Sequence, residues 1–258
     1  MCGICIWISK KGHIDPNTLK EAISLQNHRG PNGINTIFYD DKKMEFLNFN
    51  QALNEEINLK AGFAHSRLSI IDLSSRSDQP MLSDDLQKII TYNGEIYNYK
   101  ELKQSLESNG KSFRTTGDTE VLLKWLETHN GQKLHQLNGM WSFSYFNKEK
   151  EEVIFSRDRY GQKPLLFYSD ENNFIAASEY KSIFHILAKK RVVNKNYLLS
   201  FLMQKKWPSP KNGETFYKDI FTLLPGETIT YNIQKNKFTR NTKLNIKNFV
   251  ESCDHEEL

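Results

Sequence analysis

The stretch CGICIWIS, residues 2–9, is an apolar, β-branched run that predicts a strand beginning at the N-terminus itself. Alternation with period two returns in GMWSFSYF, residues 139–146, where every second side chain from position 141 is aromatic. Between these regions, residues 99–108 and 119–129 carry apolar side chains at helical spacing. Strands at both ends of the main body with helices between them indicate an α+β fold.

The remaining pattern fills in this outline. Further helices are predicted at residues 16–27, 181–188 and 196–206, and further strands at several places in 35–72, at 88–92, 152–158 and 163–168. The pair Asn93-Gly94 is typical of a tight turn, and Leu224-Pro225-Gly226 predicts a hairpin. We expect one domain over residues 2–226 and an exit linker or tail over 227–258, since beyond about Asn236 the chain is polar and carries no clear core pattern.

Composition excludes several classes of protein. The longest apolar runs, such as Ile4–Ile8, fall far short of the ~18 residues of a membrane-spanning helix, and no signal segment opens the chain. We therefore expect a cytoplasmic protein without membrane contact. Three cysteines exclude a disulfide framework, and a net charge of +4 with only local basic runs (189–191 and 205–206) indicates solvated surface and no nucleic-acid partner.

Cys2 and Cys5 form a C-x-x-C pair with three competing interpretations. A redox motif should open a helix, whereas both cysteines lie in the first predicted strand. A zinc site needs four ligands, and no second pair completes one, so no metal is expected. We interpret Cys5 as a small buried hydrophobe.

Cys2 differs because of its position. When residue 2 is small, the initiator methionine is normally removed, which leaves a thiol and an α-amine on one residue. The amine has a pKa near ~7.7–8.0, so it can accept a proton at neutral pH. A nucleophile activated in this way needs no histidine partner.

The chain also contains candidates for the other parts of an acyl-transfer site. Asn93 offers a side-chain amide and Gly94 an unobstructed backbone N–H for an oxyanion, although Asn-Gly is more often a plain turn. Arg67 could bind a carboxylate, or be an arginine at a sheet edge that extends to solvent. Asp118 could bind an ammonium, or cap the helix at 119–129, and Glu95 is equally ambiguous.

Nine blocks of sequence, in order, resemble the glutaminase domain of glutamine-dependent asparagine synthetases, which are class II glutamine amidotransferases of the N-terminal-nucleophile type. The blocks are MCGICIWIS (1–9), HRGP (28–31), FAHSRLSIIDLS (63–74), QPM (79–81), YNGEIYNYKEL (92–102), TGDTEVLL (116–123), LNGMWSFSYF (137–146), SRDRYGQKPLLFY (156–168) and AASEYKSI (176–183). The resemblance runs from Cys2 to about Gly226.

The resemblance implies a fold and a set of roles. The fold would be a four-layer αββα sandwich of the N-terminal-nucleophile hydrolase type. Cys2 would attack the side-chain amide of L-glutamine and pass through a thioester, releasing glutamate and ammonia. The other implied roles are an oxyanion hole of Asn93 and Gly94, a carboxylate site at Arg67, pocket walls at Ile70 and Ile71, and an ammonium site at Glu95 and Asp118.

The sequence also departs from the family. Asn32 and Asn35 stand where it often has Asp and Gly, which leaves the shape of the loop 28–36 open. The S-G-G-x-D-S loop of the synthetase domain is absent, and so are the glycine motifs of nucleotide sites. We expect no cofactor in this domain, with ATP and magnesium needed only by the synthetase domain.

The missing loop suggests a chain cut at a domain boundary, with the synthetase domain as its partner in cis. The alternatives are a stand-alone domain that serves another acceptor in trans and a non-catalytic module that binds a partner. The sequence leaves the acceptor and the oligomeric state open, a homo-oligomer included.

Overall fold

The computed structural model describes residues 1–53, 58–204 and 212–242. The strands in these ranges are β1 (Gly3–Ser9), β2 (Gly33–Asp40), β3 (Glu45–Asn48), β4 (Leu59–Arg67), β5 (Met81–Leu82), β6 (Lys88–Ile96), β7 (Gly139–Asn147), β8 (Glu152–Arg157), β9 (Leu166–Ser169), β10 (Asn173–Ala177), β11 (Ile220–Thr222), β12 (Thr228–Asn232) and β13 (Lys237–Asn241). The α-helices are α1 (Pro16–Ser24), α2 (Phe49–Ala52), α3 (Tyr99–Ser108), α4 (Asp118–Thr128), α5 (Tyr180–Leu187) and α6 (Lys195–Gln204).

The strands form two antiparallel sheets. The first has the order β11-β9-β10-β1-β4-β2-β3, and the second has the order β13-β12-β8-β7-β6-β5. Strand β1 lies in the middle of the first sheet, between β10 and β4. All seven of its residues are buried, which explains the continuous apolar run because both faces of a central strand are covered.

Alternation along the strands sorts the side chains into three apolar layers. Ile4, Ile6 and Ile8 point into the core between the two sheets, whereas Cys5 and Trp7 point to the outer face. Helices α1 and α5 pack on that outer face of the first sheet. Helices α3 and α4 cover the outer face of the second sheet. The predicted four-layer αββα sandwich is therefore confirmed.

The helix predictions agree with the structure to within a few residues. The end of the helix predicted at 196–206 lies outside the described residues, and so does the basic pair 205–206. The basic run 189–191 is exposed, as predicted. No helix in the described ranges is long and apolar enough to cross a bilayer.

The predicted start of the tail at residue 227 is wrong. Strands β12 and β13 extend the second sheet, and Ile229 and Tyr231 of β12 are fully buried. The edge strand β13 is almost entirely exposed, so its sequence carries little apolar pattern. Residues 243–258 lie outside the described part of the chain.

The segment Leu224-Pro225-Gly226 is not a hairpin. Strand β11 before it belongs to the first sheet and β12 after it to the second. The turn therefore carries the chain from one sheet to the other. The turn residues alone do not distinguish such a crossing from a hairpin within one sheet.

Candidate active site

Strand ends from both sheets meet at one end of the sandwich. Cys2 immediately precedes β1, where Gly3 pairs with Ser66 of β4, and Arg67 is the last residue of β4. Since Ile4 and Ile6 point between the sheets, the alternation places Cys2 on the same inner face. Asn93 reaches this end from the second sheet, on strand β6, where it pairs with Ser142 of β7. The N-terminus therefore enters the gap between the sheets.

A cleft of about 100 Å³ opens at this end of the sandwich. Its lining includes all eight residues that the sequence predicted for the site: Cys2, Arg67, Ile70, Ile71, Asn93, Gly94, Glu95 and Asp118. They come from two sheets, one helix and a loop, so the chain brings together positions that are up to 116 residues apart in sequence.

The thiol of Cys2 is partly buried and held in place. Its Sγ accepts a hydrogen bond of 3.3 Å from the amide of Leu68, and its carbonyl oxygen accepts one of 3.0 Å from Nε of Arg29. Burial raises the pKa of the thiol, against the opposing effects of the Leu68 amide and of the positive charge on Arg67. A thiol with a raised pKa needs a base before it can act as a nucleophile.

Met1 also lines the cleft and is 55% exposed. Removal of this residue would leave the α-amine on Cys2, beside the thiol. The position of the amine therefore suits it to serve as that base.

Asn93 and Gly94 are not in a turn, as the sequence had suggested. Strand β6 continues through them to Ile96, which pairs with Gly139 of β7. A Cβ on Gly94 would lie 2.2 Å from the carbonyl oxygen of Met140, so the close approach of β7 requires glycine there. The pairing with β7 thus overrides the local turn tendency of Asn-Gly.

The side chain of Asn93 is 1% exposed, and its Nδ2 has no hydrogen-bond partner in the described residues. Buried donors are normally paired, because an unpaired one costs about 1–3 kcal/mol. An unpaired amide donor on the wall of a cleft is suited to bind a ligand oxygen.

The guanidinium of Arg67 is 8% exposed and connects the strand end to the loop 68–78. It forms an ion pair with Asp78 and donates to the backbone carbonyls of Ser74 and Asp72. These bonds use three of its five N–H donors and leave two for a ligand. The alternative of an arginine at a sheet edge is wrong, because β4 lies between β1 and β2.

Asp118 does not cap α4, as the alternative interpretation had it. Gly117 is the N-cap and Asp118 is the first residue of the helix. Its Oδ2 accepts hydrogen bonds from the hydroxyl of Tyr92 (2.8 Å) and the amide of Ile96 (3.0 Å). Burial raises the pKa of the carboxyl group, and these two donors oppose that shift. The arrangement holds a buried carboxyl group at the edge of the cleft.

Residues 50–242 match the family described as the glutamine amidotransferase domain. The chain belongs to this family. It is 37% identical over 183 residues (70% of the chain) to asparagine synthetase (glutamine-hydrolyzing) 2 of Bacillus subtilis, and 30% identical over 253 residues (94% of the chain) to asparagine synthetase 1 of the same organism. These relatives confirm the resemblance to asparagine synthetases.

This amidotransferase domain spans 24–46% of the length of such curated relatives. Among solved structures, it is similar to the glutamine phosphoribosylpyrophosphate amidotransferase from B. subtilis complexed with ADP and GMP, with a TM-score of 0.65 and 20% identity. That similarity covers 95% of this chain and 50% of the other, and at this identity it shows the fold alone.

Cys5 of the amidotransferase domain takes no part in the cleft. It is fully buried on the outer face of β1, and burial raises its pKa to about 12. Cys2 and Cys5 therefore point to opposite faces of the sheet, which excludes a disulfide between them without distorting β1. The interpretation of Cys5 as a buried hydrophobe is confirmed.

The loop that follows α1 packs beside the nucleophile. The amide of Asn32 donates to the carbonyl oxygen of Arg67 (2.9 Å), and Oδ1 of Asn32 accepts from the amide of Ser69 (3.1 Å). Asn32, one of the departures from the family pattern, thus fixes the exit of β4. From Gly33 onward the chain is strand β2, which includes the second departure, Asn35.

The remaining predicted residues form the more open side of the cleft. Ile70 and Ile71 follow β4 and are 60% and 44% exposed. Glu95 is half-buried and forms no hydrogen bond or ion pair within the described ranges. Its carboxylate is therefore available to a ligand.

Gln79 and Lys163 are among the lining residues that were not predicted from the sequence. Oε1 of Gln79 accepts a 2.6 Å hydrogen bond from the amide of Tyr92, and its Nε2 donates to Oγ1 of Thr119. Both residues stand inside blocks that carried the resemblance (79–81 and 156–168), so their membership of those blocks was the available signal. In residues 1–53, 58–204 and 212–242 no cluster of three or more metal-binding side chains is present.

Proposed function

We propose that this amidotransferase domain hydrolyses L-glutamine to L-glutamate and ammonia with Cys2 as the nucleophile. The observation that carries the proposal is the cleft in which the thiol of Cys2 and the unpaired amide of Asn93 lie together. A nucleophile and an oxyanion donor are the two groups that an acyl-transfer site cannot lack.

The reaction begins once Met1 has been removed. The α-amine of Cys2 accepts the thiol proton, and Sγ attacks the side-chain carbonyl carbon of glutamine. Negative charge develops on the carbonyl oxygen, where Nδ2 of Asn93 and the backbone N–H of Gly94 stabilise it. The amine then gives its proton to the departing nitrogen, which leaves as ammonia. Water, deprotonated by the same amine, hydrolyses the thioester to release glutamate.

Glutamine is held by its α-groups on the side of the cleft away from the thiol. The two free N–H donors of Arg67 bind the α-carboxylate, since the guanidinium fork matches a carboxylate. Asp118 and Glu95 bind the α-ammonium. Backbone groups at Ile70 and Ile71 line the pocket around the substrate.

We further propose that the ammonia serves an amidation of the asparagine-synthetase type. The names of the relatives support this, and aspartate is the default acceptor. ATP and magnesium would then be required by a synthetase domain, in cis or in trans, and no cofactor by this domain. A different acceptor in trans and a non-catalytic binding module are the rival outcomes.

The test is to incubate the full chain with excess glutamine and to quantify glutamate and ammonium over time. We expect equal amounts of the two products, lost in Cys2→Ala and retained in Cys5→Ala. The assay is repeated with an asparagine synthetase domain added in trans. If neither condition releases ammonium above the Cys2→Ala background, the catalytic proposal fails and the binding module is favoured.

A further inference from the structure

Lys163 carries a charge that no other described residue neutralises. It lines the cleft and is 7% exposed, yet its ammonium forms no hydrogen bond or ion pair within the described residues. The other lysines buried to this degree are all paired: Lys60 with the carbonyl of Lys10, Lys88 with Asp85, and Lys124 with Asp84. Because a buried, unpaired charge is costly, we expect the ammonium of Lys163 to interact with an anionic group in the cleft.

The topology places Lys163 on the flank of the nucleophile opposite to Arg67. In the first sheet β1 lies between β4 on one side and β10 and β9 on the other. Arg67 ends β4, whereas Lys163 lies three residues before β9 begins at Leu166. Arg67 and Lys163 therefore line the cleft from elements on opposite sides of β1, the strand that Cys2 precedes.

The backbone of Lys163 is fixed. Its amide donates a 3.0 Å hydrogen bond to Oδ2 of Asp158, and its carbonyl oxygen accepts one of 2.7 Å from Nε of Arg157. Asp158 also accepts from the amide of Trp141, the residue that pairs with Gly94. The loop is thus tied to the strand pair that carries the candidate oxyanion hole.

Charged groups of both signs surround Cys2. On β4 Arg67 is positive and His65 is neutral, because burial lowers the pKa of His65 to about 3. The carboxylates that line the cleft with Cys2 come from β6 (Glu95), α4 (Asp118) and the loop 68–78 (Asp72), and the cationic side chains that line it are Arg67 and Lys163. Arg29 binds the carbonyl oxygen of Cys2 and is paired with Glu179. The phenol of Tyr92 on β6 is bound to Asp118. Arg67 is already paired with Asp78, which leaves Lys163 as the lining side-chain cation without a counter-ion among the described residues.

We propose that Lys163 is a positioning residue, an inference that rests on the proposed function. Its positive charge stabilises the thiolate of Cys2 and disfavours protonation of the adjacent α-amine. A cation near a thiol favours the thiolate, and a cation near an amine favours its neutral form. The same charge would therefore assist both partners of the nucleophile.

The test compares Lys163→Gln, Lys163→Met and Lys163→Arg with the wild-type chain. The rate at which iodoacetamide alkylates Cys2 is measured against pH, with the Cys2 peptide followed by mass spectrometry. We expect the midpoint of the profile to rise by roughly 0.5–1 pH unit in Lys163→Gln and Lys163→Met, and to return to the wild-type value in Lys163→Arg. Lys190→Gln, at an exposed position, is the control.

Two results overturn the inference. One is a profile of both neutral variants that superimposes on that of the wild type. The other is a midpoint in Lys163→Arg that rises as much as in the two neutral variants, which would indicate that the shape of the lysine side chain matters and not its charge. Alkylation does not depend on turnover, so a chain that releases no ammonium defeats the proposed function while the alkylation profile still decides the role of Lys163.

Discussion

The hydroxyl of Tyr92 donates a hydrogen bond of 2.8 Å to Oδ2 of Asp118. This bond joins strand β6 to the first residue of helix α4, and so connects two layers of the sandwich. Asn93 is the next residue after Tyr92 and points to the opposite face of β6. One strand segment therefore orients the candidate ammonium site with one side chain and the oxyanion donor with the next.

Replacing Tyr92 with Phe tests this connection. The change removes one of two donors to Asp118, and a hydrogen bond to a charged group contributes about 1.5–3 kcal/mol. We expect the KM for glutamine to rise roughly 3–10-fold, with little change in kcat, because binding and not chemistry is affected. Steady-state kinetics of glutamate release measure both constants.

Tyr145→Phe is the matched control. Tyr145 packs in the same apolar layer, but its hydroxyl has no hydrogen-bond partner among the described residues. We expect wild-type kinetics from it. A fall in kcat with unchanged KM in Tyr92→Phe would contradict a role in substrate binding.

The oxyanion role of Asn93 is tested by Asn93→Ala. Loss of one oxyanion donor typically lowers kcat by roughly 10²–10³-fold. The control is Ser142→Ala, since Ser142 pairs with Asn93 across the ladder and also has a buried, unpaired polar atom, but does not line the cleft. A kcat of Asn93→Ala within a factor of two of the wild-type value would remove Asn93 from the mechanism.

Arg67→Lys tests recognition of the α-carboxylate. An ammonium cannot replace the fork of the guanidinium, nor satisfy Asp78, Ser74 and Asp72 at once. We predict an increase in KM of at least about 10-fold, from the loss of a bidentate pair. Arg76→Lys changes an exposed arginine in the same loop and should be silent. An unchanged KM in Arg67→Lys would refute the assignment.

The buried His65 predicts how stability depends on pH. Burial lowers its pKa to about 3, so the folded chain keeps it neutral, whereas the unfolded chain binds a proton below about pH 6.5. Stability is therefore lost as the pH falls. Between about pH 7.5 and pH 5 this group alone should cost about 2 kcal/mol of unfolding free energy.

Denaturant titrations at the two pH values measure that loss. His65→Gln should reduce the difference between them by about this amount, and His13→Gln, at an exposed position, should leave it unchanged. An equal pH dependence in wild type and His65→Gln would show that His65 is not buried in its neutral form.

Much of the fold could be predicted because β1 is a continuous apolar run, and β7 and the helices carry strong local periodicity. What failed depended on long-range pairing. Asn93-Gly94 lies in a strand because β7 runs beside it. Residues 228–232 form a strand because they pair with β8, and residues 237–241 because they pair with β12. Neither cause is visible in the local sequence.

The site followed the same division. Family motifs located eight of the residues that line the cleft, but not how Asp118 is held by Tyr92 or how Arg67 is bound to Asp78. Lys163 was missed because a lysine in a polar loop predicts exposure, and only the packing of that loop on the Trp141 backbone explains its burial.

The nucleophile is tested most directly by 6-diazo-5-oxo-L-norleucine, an electrophilic analogue of glutamine. The full chain is incubated with it, and intact mass and peptide mapping then locate the adduct. We predict a chain that lacks Met1 and carries one adduct, on Cys2, with glutamine protecting it from labelling. Retained Met1 with an unlabelled Cys2, or labelling that glutamine does not slow, would contradict the assignment of Cys2 as the nucleophile.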